Sequence, residues 1–469
     1  MQEFRLLING ELVNAPLQLD VLNPATGALL ARCPRADETL LNTAIAAANA
    51  AFASWSREPV EERARRLRDL SARIKARATE FAQLLTQEQG KPLEQAAGEI
   101  GAAVYTLDAF AEMRLDTETL QDRATGKVIE QRTPLGVIAA ITPWNYPILL
   151  LMNKLAPALL AGNTLIIKPA PTTPLTTLLL GELCAGCFPA GVVNVIVDAN
   201  DLGDILTRHP HIAKIAFTGS TATGRKVMAN AATNIKRITL ELGGNDGAVV
   251  LDDVDPEKAA RALFNGAMLN AGQICVAIKR AYVPARHYDA ICEHLGKLAT
   301  AAVVGDGLAP GTEIGPVQNL AQFEKLKGYL RDAAESGDVV AGGYALDRPG
   351  YFIAPTIVRN IPDDARLVQE EQFGPILPVL AYDSLDDAIA RMNRSDYGLA
   401  ATVWGKDLDR ANQVASRIDA GTVWVNQHLA LDPTVPFRGA KQSGFGVELG
   451  LEGLKEYTQA RVISSVPMD

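Results

Sequence analysis

Short apolar runs alternate with longer amphipathic segments from residue 135 onward, and this alternation restricts the fold more than any other feature of the sequence. Parallel strands need a long crossover between them, so a strand–helix–strand repeat predicts a parallel sheet. Strands are predicted at 137–141, 164–168, 192–197, 213–217 and 235–240. The intervening helices are predicted near 148–161, 174–187, 201–208 and 221–231. We therefore expect a doubly wound α/β sheet that binds ligands beyond the carboxyl ends of its strands.

A second block with the same alternation predicts a second α/β domain. Its strands are expected at 247–251, 280–283, 376–382, 399–404 and 421–426. Its helices are expected near 255–269, 286–302, 320–335, 384–393 and 407–418. Ahead of both blocks, helical periodicity indicates helices at 37–53 and 57–89, and Asn9-Gly10 indicates an N-terminal hairpin.

Two further segments belong to neither block. Residues 112–134 are polar and have no local pairing partner, and the tail 455–469 has strand character at Arg461-Val462-Ile463. Exposed strand edges tend to pair with another strand. We expect these two segments to pair with each other or across a subunit interface.

Composition excludes several classes of function. The 469 residues suggest about three domains at roughly 150 residues each. The net charge of −9 argues against a uniform basic surface, and so against a nucleic-acid partner. No apolar run is long enough to span a membrane, and the start of the sequence lacks the apolar core of a signal peptide. Five cysteines fit reduced thiols in the cytoplasm better than a disulfide framework.

Three residues at predicted turns are candidates for chemistry. Cys275 follows an Asn-Ala-Gly-Gln sequence, where backbone N–H groups would stabilise a thiolate, although most free cysteines are simply buried apolar side chains. Glu241 ends a strand before Gly-Gly and is either a solvated strand end or a desolvated base. Asn145 follows a buried strand and is either an ordinary turn residue or an oxyanion donor.

Other features give weaker signals. Lys168 ends a predicted strand, where it is either solvated or binds a hydroxyl or phosphate. The segment 219–224 opens a helix whose N-terminus would attract an anion, but its glycines lack the G-x-G-x-x-G spacing. Cys184 and Cys187 have C-x-x-C spacing without a second Cys or His pair, so no metal site is predicted.

These segments fall into a set of motifs along the chain. The motifs are Thr142-Pro143-Trp144-Asn145-Tyr146-Pro147, 153–159, Gly162-Asn163 with Lys168-Pro169-Ala170, Phe217-Thr218-Gly219-Ser220, Leu240-Glu241-Leu242-Gly243-Gly244, Gly272-Gln273-Ile274-Cys275, 370–375, and Pro436-Phe437 with 441–444. In this order they resemble the aldehyde dehydrogenase superfamily along essentially the whole chain. Such a set in register is highly specific.

The resemblance implies a three-part subunit. A Rossmann-like cofactor domain would comprise residues 1–111 and 135–243, and a catalytic α/β domain residues 244–442. A small β oligomerisation arm would comprise 112–134 and 443–469. The chain would assemble with itself as a homodimer or homotetramer.

The resemblance also implies the reaction and its catalytic residues. The enzyme would oxidise a small aldehyde to the carboxylic acid with NAD(P)⁺. Cys275 would be the nucleophile that forms a thiohemiacetal and then a thioester, and Asn145 would hold the oxyanion. Glu241 would be the general base for thioester hydrolysis, and Lys154 would lie near the active site as a further catalytic residue.

The cofactor residues follow from the same motifs. They would be Trp144, Lys168, Gly219, Ser220, Leu242, Gly243, Glu371 and Phe373. Lys168 and Glu371 would hold the two riboses, Ser220 would contact the pyrophosphate, and Phe373 would pack at the nicotinamide. Pro171 stands where many relatives carry a Glu that grips the adenosine ribose. We therefore expect use of both NAD and NADP, with NAD preferred.

The substrate pocket departs from many relatives. Its predicted residues are Leu150, Asn153, Ile274, Val276, His428 and Phe437. With Leu431, and with Arg438 in place of a common Gly, they suggest an apolar channel with a few polar points.

Two alternatives differ in class. In a CoA-acylating semialdehyde dehydrogenase, CoA rather than water would resolve the thioester, and Glu241 favours water. A non-catalytic protein of the same fold would not need Cys275, Glu241 and Asn145 together.

Overall fold

Strands and helices in the N-terminal part of the chain alternate irregularly in the computed structural model, which describes residues 3–468. The elements are β1 (Leu6–Ile8), β2 (Glu11–Val13), β3 (Leu17–Leu22), β4 (Leu29–Arg35), α1 (Glu38–Trp55), α2 (Val60–Ala76), α3 (Ala78–Gln89) and α4 (Leu93–Ala111). β1 and β2 form the expected hairpin, with Asn9 and Gly10 at φ 53° and 81°.

Two features of these helices differ from the prediction. The single helix expected at 57–89 is divided at Arg77, whose backbone leaves the helical region. The break lets α2 pack on α4 and α5 while α3 turns toward α4 and α6. α4 was not predicted, because its buried face consists largely of small residues and gives a weak apolar stripe.

The middle of the chain follows the predicted alternation closely. The elements are β5 (Glu118–Arg123), β6 (Gly126–Pro134), β7 (Val137–Ile141), α5 (Leu149–Leu160), β8 (Thr164–Lys168), α6 (Leu175–Ala185), β9 (Val193–Val195), α7 (Gly203–Arg208), β10 (Ile212–Thr218), α8 (Thr221–Ala232) and β11 (Arg237–Glu241).

The remaining elements form the second block and the tail. They are β12 (Gly247–Val250), α9 (Pro256–Met268), the 3₁₀ turn η1 (Leu269–Gly272), β13 (Arg280–Pro284), α10 (Ala285–Ala301), α11 (Leu320–Ser336), β14 (Asp338–Ala341), β15 (Thr356–Arg359), α12 (Arg366–Gln369), β16 (Ile376–Tyr382), α13 (Leu385–Asn393), β17 (Tyr397–Gly398), β18 (Ala400–Trp404), α14 (Leu408–Ala415), β19 (Thr422–Val425), β20 (Ala440–Lys441), β21 (Gly444–Phe445), α15 (Gly450–Lys455) and β22 (Thr458–Ser465).

The first sheet has eight strands in the order β2-β1-β9-β8-β7-β10-β11-β21. The five strands from β9 to β11 are parallel neighbours, as predicted, and the outer strands add antiparallel. The chain runs from β7 toward β8 and β9 and then crosses to β10 on the other side. This reversal of strand order leaves a crevice beyond the carboxyl ends of β7 and β10.

The second sheet has seven strands in the order β14-β15-β16-β13-β12-β18-β19. All neighbours are parallel except β14 and β15. The five predicted strands are present, and β14 and β15 extend one edge beyond the prediction. The mixed α/β class with two doubly covered sheets is therefore confirmed.

A three-stranded antiparallel sheet, which we call the arm sheet, lies apart from both. β6 pairs with β5 on one side and with β22 on the other. The two stray segments of the sequence thus pair with each other, as expected. The tail reaches this sheet only from Thr458 onward, because Gly444–Phe445 pairs with β11 in the first sheet.

Apolar side chains form a large core around the first sheet and smaller cores on the faces of the second. Among the described residues, no helix combines the length and apolar character needed to cross a lipid bilayer. The arm sheet contributes little to the cores, since β5 is exposed along its whole length.

Candidate active site

The candidate nucleophile follows a tight turn with unusual backbone geometry. Asn270 and Ala271 in η1 have positive φ angles of 51° and 53°, which side chains rarely tolerate. Gly272 follows at φ 70°, and a Cβ atom added to it would lie 2.2 Å from the carbonyl oxygen of Gly374. Glycine is therefore required there, and Cys275 comes at the end of a strained turn, a feature that often marks functional sites.

The side chain of Gln273 connects this turn to neighbouring loops through hydrogen bonds. Its Nε2 donates to the carbonyl oxygens of Asn270, at 2.9 Å, and Pro316, at 3.2 Å. Its Oε1 accepts from the backbone N–H of Gln318 at 2.8 Å. The loop expected ahead of Cys275 is thus present, and its Gln is a structural residue.

Cys275 is partly exposed and lines a cavity of about 150 Å³. Burial raises the pKa of its thiol above the usual range, and the carboxylates of Asp246, Glu371 and Glu241 raise it further. The backbone N–H of Val276 donates to the sulfur and opposes this shift. The thiol is therefore protonated at neutral pH, so a base must take its proton when it attacks.

The other cysteines have no such setting. All four are buried free thiols: Cys33, Cys184, Cys187 and Cys292. The C-x-x-C pair at the end of α6 is therefore part of the core around the first sheet. In the described part of the chain, no group of three or more His, Cys, Asp or Glu side chains is placed to hold a metal.

Asn145 lies beyond the carboxyl end of β7 and lines the same cavity as Cys275. Its Nδ2 donates to the carbonyl oxygen of Gln273 at 3.0 Å. Its own carbonyl oxygen accepts from Nδ2 of Asn270 at 3.1 Å. These two hydrogen bonds tie Asn145 to the nucleophile turn and bring a side-chain amide beside the thiol.

Glu241 ends β11 and is buried, and its Oε1 has no hydrogen-bond partner among the described residues. Burial raises the pKa of its carboxyl well above the usual range, Glu448 raises it further, and Lys154 lowers it. Lys154 forms a buried ion pair with Glu448 and donates to Oγ1 of Thr218 at 2.7 Å. The carboxyl acts electrostatically on Cys275 but lies outside the lining of its cavity.

A second cavity of about 680 Å³ runs along the carboxyl ends of β7, β8 and β10. It shares part of its lining with the Cys275 cavity, so the two form one continuous cleft. The shared residues are Pro143, Trp144, Thr218, Gly219, Ser220 and Gln322. The cleft lies where the strand order of the first sheet reverses, which is where doubly wound sheets bind ligands.

The middle of this cleft faces the N-terminus of α8. Ser220 caps that helix, with its Oγ accepting from the backbone N–H of Thr223 at 3.3 Å. Gly219 is held by a 3.0 Å hydrogen bond from its N–H to the carbonyl oxygen of Glu241. Leu242 lies in the inner lining beside them. A helix N-terminus at this place suits an anionic group such as a pyrophosphate.

The inner end of the cleft is closed by aromatic and acidic side chains. Trp144 and Phe373 meet edge to face with their ring centroids 5.3 Å apart. Oε1 of Glu371 accepts from the backbone N–H of Gly244 at 3.0 Å. A Cβ atom on Gly243 would lie 2.4 Å from the same carboxylate, so the backbone approaches Glu371 as closely as glycine allows.

The outer end of the cleft holds Lys168, which ends β8. Its Nζ lies 2.6 Å from Oδ1 of Asp198, and both side chains are buried. The other oxygen of Asp198 accepts from the backbone N–H of Leu202 at 3.0 Å. Pro171 lies in the same lining. The lysine charge is thus balanced by a carboxylate that the sequence analysis did not consider.

Only one of the six predicted substrate-pocket residues lines the cavity around Cys275. Leu150 lines the cavity that holds Cys275. Four others are buried around α5 and the nucleophile turn: Asn153, Ile274, Val276 and Phe437.

His428 lines a different cavity from Cys275. It packs edge to face on Trp424, with centroids 5.2 Å apart, and lines a separate cavity of about 610 Å³ with Gly266 and Leu269. Burial lowers the pKa of its imidazole to about 4, so the ring is neutral near neutral pH. His428 is therefore absent from the lining of the Cys275 cavity, although its ring lies beside the backbone of Val276.

Several residues at the site were missed. They are Tyr146, Asp198, Thr218 and Glu448. Thr218 and Tyr146 stand inside quoted motifs, so adjacency to Gly219 and Asn145 was an available signal. Glu448 and Asp198 belong to no motif and reach the site only through the fold.

Comparison with known proteins agrees with this geometry. The sequence profile of the Aldehyde dehydrogenase family matches residues 13–463. The chain belongs to the aldehyde dehydrogenase family. Aldehyde oxidation with a nicotinamide cofactor is the activity of the family, and this sets aside a non-catalytic protein of the same fold.

Individual aldehyde dehydrogenases match over almost their full length. Succinate-semialdehyde dehydrogenase [NADP(+)] of Escherichia coli is 40% identical, over 97% of this chain and 96% of the relative. Phenylacetaldehyde dehydrogenase of Pseudomonas fluorescens is 39% identical, over 97% and 95%. The NAD⁺ complex of an aldehyde dehydrogenase from Bacillus cereus superposes with TM-score 0.97 at 37% identity, over 99% of this chain and 97% of that chain.

Proposed function

We propose that this chain oxidises an aldehyde to the carboxylic acid through a thioester on Cys275, which water cleaves with Glu241 as general base. One observation carries the proposal: the Asn145 amide and the Cys275 thiol line one cavity, which is continuous with the cleft at the strand reversal. A nucleophile, an oxyanion donor and a cofactor-sized cleft are thus adjacent.

The first half of the reaction uses the thiol. As the sulfur bonds to the aldehyde carbon, its proton passes to a base. We assign this role to Glu241, one of three carboxylates, with Asp246 and Glu371, that act electrostatically on the thiol. The oxyanion of the thiohemiacetal accepts hydrogen bonds from Nδ2 of Asn145 and the backbone N–H of Cys275. One such donor is typically worth ~10²–10³ in rate. Collapse of the oxyanion then expels hydride and leaves the thioester.

The second half uses the carboxyl of Glu241. Its raised pKa makes it a stronger base than an exposed glutamate, so it can take a proton from water near neutral pH. Hydroxide adds to the thioester carbonyl, the C–S bond breaks, and the acid leaves. Lys154 and Glu448 set the charge around this base.

The cleft fits a dinucleotide, which when bound would accept the hydride at its nicotinamide. Its length runs from Lys168, through Ser220 at the N-terminus of α8, to Phe373 near Cys275. We assign Lys168 and Glu371 to the two riboses, because they line the outer and inner parts of the cleft. Asp198 already neutralises Lys168, which weakens the case for a 2′-phosphate. We therefore expect NAD to be preferred over NADP, as the ratio of kcat/KM for the two cofactors will measure.

We further propose that the chain works as a homo-oligomer in the cytoplasm. The arm sheet supports self-association, since it leaves apolar side chains uncovered. Five free thiols support a reducing compartment.

Two substitutions test the mechanism. Cys275→Ala is expected to abolish aldehyde oxidation, while Cys292→Ala, at a buried cysteine of α10 outside the site, is expected to retain it. Glu241→Gln is expected to slow steady turnover by ~10²–10⁴, the usual worth of a positioned base. Rapid mixing will show whether a burst of reduced cofactor survives; its loss would mean that Glu241 also deprotonates Cys275.

Three results would contradict the proposal. Near-wild-type turnover in Cys275→Ala would exclude the thiol mechanism. An unchanged steady rate in Glu241→Gln would exclude Glu241 as the base. Strong acceleration by free CoA, with acyl-CoA accumulating, would show that CoA rather than water resolves the thioester.

A further inference from the structure

A buried ion pair lies directly behind Asn145 and has no part in the chemistry described so far. Lys91, between α3 and α4, is almost fully buried, and its Nζ lies 2.6 Å from Oε2 of Glu99. The same Nζ donates to the carbonyl oxygen of Asn145 at 2.8 Å. It also lies 3.5 Å from the centroid of the Tyr146 ring. An ammonium has three N–H donors, and these three neighbours account for them.

The second oxygen of Glu99 holds the start of α5. Oε1 accepts from the backbone N–H groups of Ile148, at 3.0 Å, and Leu149, at 3.2 Å. The first N–H groups of a helix have no carbonyl partner within the helix, and a carboxylate there also interacts favourably with the helix dipole. The Lys91–Glu99 pair therefore holds the segment between β7 and α5 at two points, at Asn145 in its middle and at the start of α5.

The carbonyl oxygen of Asn145 accepts two hydrogen bonds. It accepts from Lys91 and, at 3.1 Å, from Nδ2 of Asn270 in the nucleophile turn. The side chain of the same residue donates to the carbonyl oxygen of Gln273. A shift of this peptide would move the amide of Asn145 relative to Cys275.

Stability alone is a weak reason for such a pair. Desolvating two charges costs several kcal/mol per ion, and apolar side chains of similar volume often stabilise a protein as well or better. The geometry points instead to placement of the peptide that the pair contacts.

We propose that Lys91, oriented by Glu99, is a positioning residue that fixes Asn145 against the Cys275 oxyanion. This inference rests on the proposed function, because it assigns a consequence to the oxyanion role of Asn145. Lys91 touches no reacting atom. Its effect on the reaction passes through the Asn145 peptide.

The test removes both charges at once, since Lys91→Met alone would leave Glu99 buried and unpaired. In the double variant Lys91→Met/Glu99→Gln, the Gln oxygen can still accept from the first N–H groups of α5. We expect kcat to fall by at least tenfold, within the ~10²–10³ limit set by complete loss of an oxyanion donor. KM for the cofactor should stay near the wild-type value, because the outer cleft is untouched.

A matched control comes from another buried lysine. Lys214 in β10 is fully buried, lies 3.5 Å from Glu456 and 5.1 Å from the Tyr457 ring, and does not contact Asn145. Lys214→Met/Glu456→Gln also removes a lysine–glutamate pair, in which the lysine is fully buried and the glutamate is part-exposed, and should leave kcat near wild type.

A double-mutant cycle separates positioning from general destabilisation. Asn145→Ala, the Lys91/Glu99 variant and their combination are compared in the full-length enzyme. If the pair acts through Asn145, the combination should lose little more kcat than Asn145→Ala alone. Losses that multiply would overturn the proposal, and so would a folded Lys91/Glu99 variant with wild-type kcat.

Two further results complete the test. If the double variant fails to fold, Lys91→Arg keeps the charge but cannot place the same single donor; unchanged kcat there would overturn the proposal. If Asn145→Ala leaves kcat unchanged while Cys275→Ala abolishes it, the positioning role fails although the thiol chemistry stands. Turnover in Cys275→Ala would instead overturn the proposed function.

Discussion

Burial and two neighbouring charges set the pKa of the Glu241 carboxyl. Lys154 favours the carboxylate and Glu448 opposes it, while burial opposes it more strongly than either. The balance places the pKa above that of a free glutamate, so the base becomes protonated, and inactive, as the pH falls toward that raised value. We expect kcat to decline on the acid side at a pH nearer neutrality than an exposed carboxyl would give.

We call the fall of kcat at low pH the acid limb of the pH profile. Two substitutions should move this limb in opposite directions. Lys154→Met removes the cation that lowers the pKa of Glu241, so the limb should move to higher pH. Glu448→Gln removes a carboxylate that raises it, so the limb should move to lower pH. Profiles of kcat against pH measure both, and shifts of the same sign would contradict this assignment of charges.

At this scale, sequence reasoning identified the residues that stand beside turn signals. Cys275 follows a Gly-containing turn, Asn145 follows a strand and Glu241 precedes Gly-Gly, so a place at a turn was predictable for each. Lys91, Glu99 and Glu448 were not, since each reaches the site from a distant part of the chain. Glu448, for example, lies 294 positions from Lys154, and only the packed fold reveals the pair.

Among the elements, the nucleophile turn is the most constrained. Gly272→Ala would place a methyl group against the carbonyl oxygen of Gly374 in a backbone conformation that costs an L-residue about 1–2 kcal/mol even without a clash. We expect a lower melting temperature and a lower kcat, because the turn also carries Cys275.

Gly98→Ala is the matched control for that substitution. Gly98 lies in α4, and an added Cβ would meet no atom within 4 Å. It should raise helix stability by about 0.5–1 kcal/mol and leave kcat unchanged. Equal melting temperatures for wild type and Gly272→Ala, scanned at one rate, would show that the turn relaxes without cost.

Elements with strong periodicity were predicted, and those without it were missed. The five parallel strands of the first sheet and the five of the second appear within a few residues of expectation. α4 was missed because its small buried residues give little contrast. β14 and β15 were missed because they are short and lie between irregular loops. The strand order also lay beyond the sequence, since periodicity carries no information on which strands become neighbours.

At the scale of the whole molecule, the arm sheet of a single chain has no layer of secondary structure covering its apolar side chains within residues 3–468. Three strands without a covering layer are marginal in water. On β22, Val462 is 59% exposed and Ile463 40%, and consecutive strand residues face opposite sides. Both faces of the arm sheet therefore present apolar side chains to solvent.

We predict that Val462→Asp/Ile463→Asp shifts the protein to smaller species. Charged groups on both faces would have to be desolvated on association. Leu408→Asp is the control, because Leu408 is 57% exposed at the start of α14, away from the arm sheet. Light scattering over a range of concentrations measures the mass. A wild-type monomer at all concentrations would contradict the oligomer.

The main chain at Gly272 packs directly against the main chain at Gly374, and this contact joins the nucleophile turn to the loop beside the cofactor cleft. The segment that contains Gly272 carries Cys275. The segment that contains Gly374 carries Phe373 and Glu371, which line the inner part of the cleft. The side chain of Lys279 bridges the same two segments. Its ammonium donates to the carbonyl oxygen of Gly272 at 2.6 Å and lies 5.2 Å from the Phe373 ring centroid. These contacts hold the nucleophile turn against the loop that carries Phe373 and Glu371. Substitutions of the side chains around the cavity should therefore change which aldehyde enters without moving this main-chain contact.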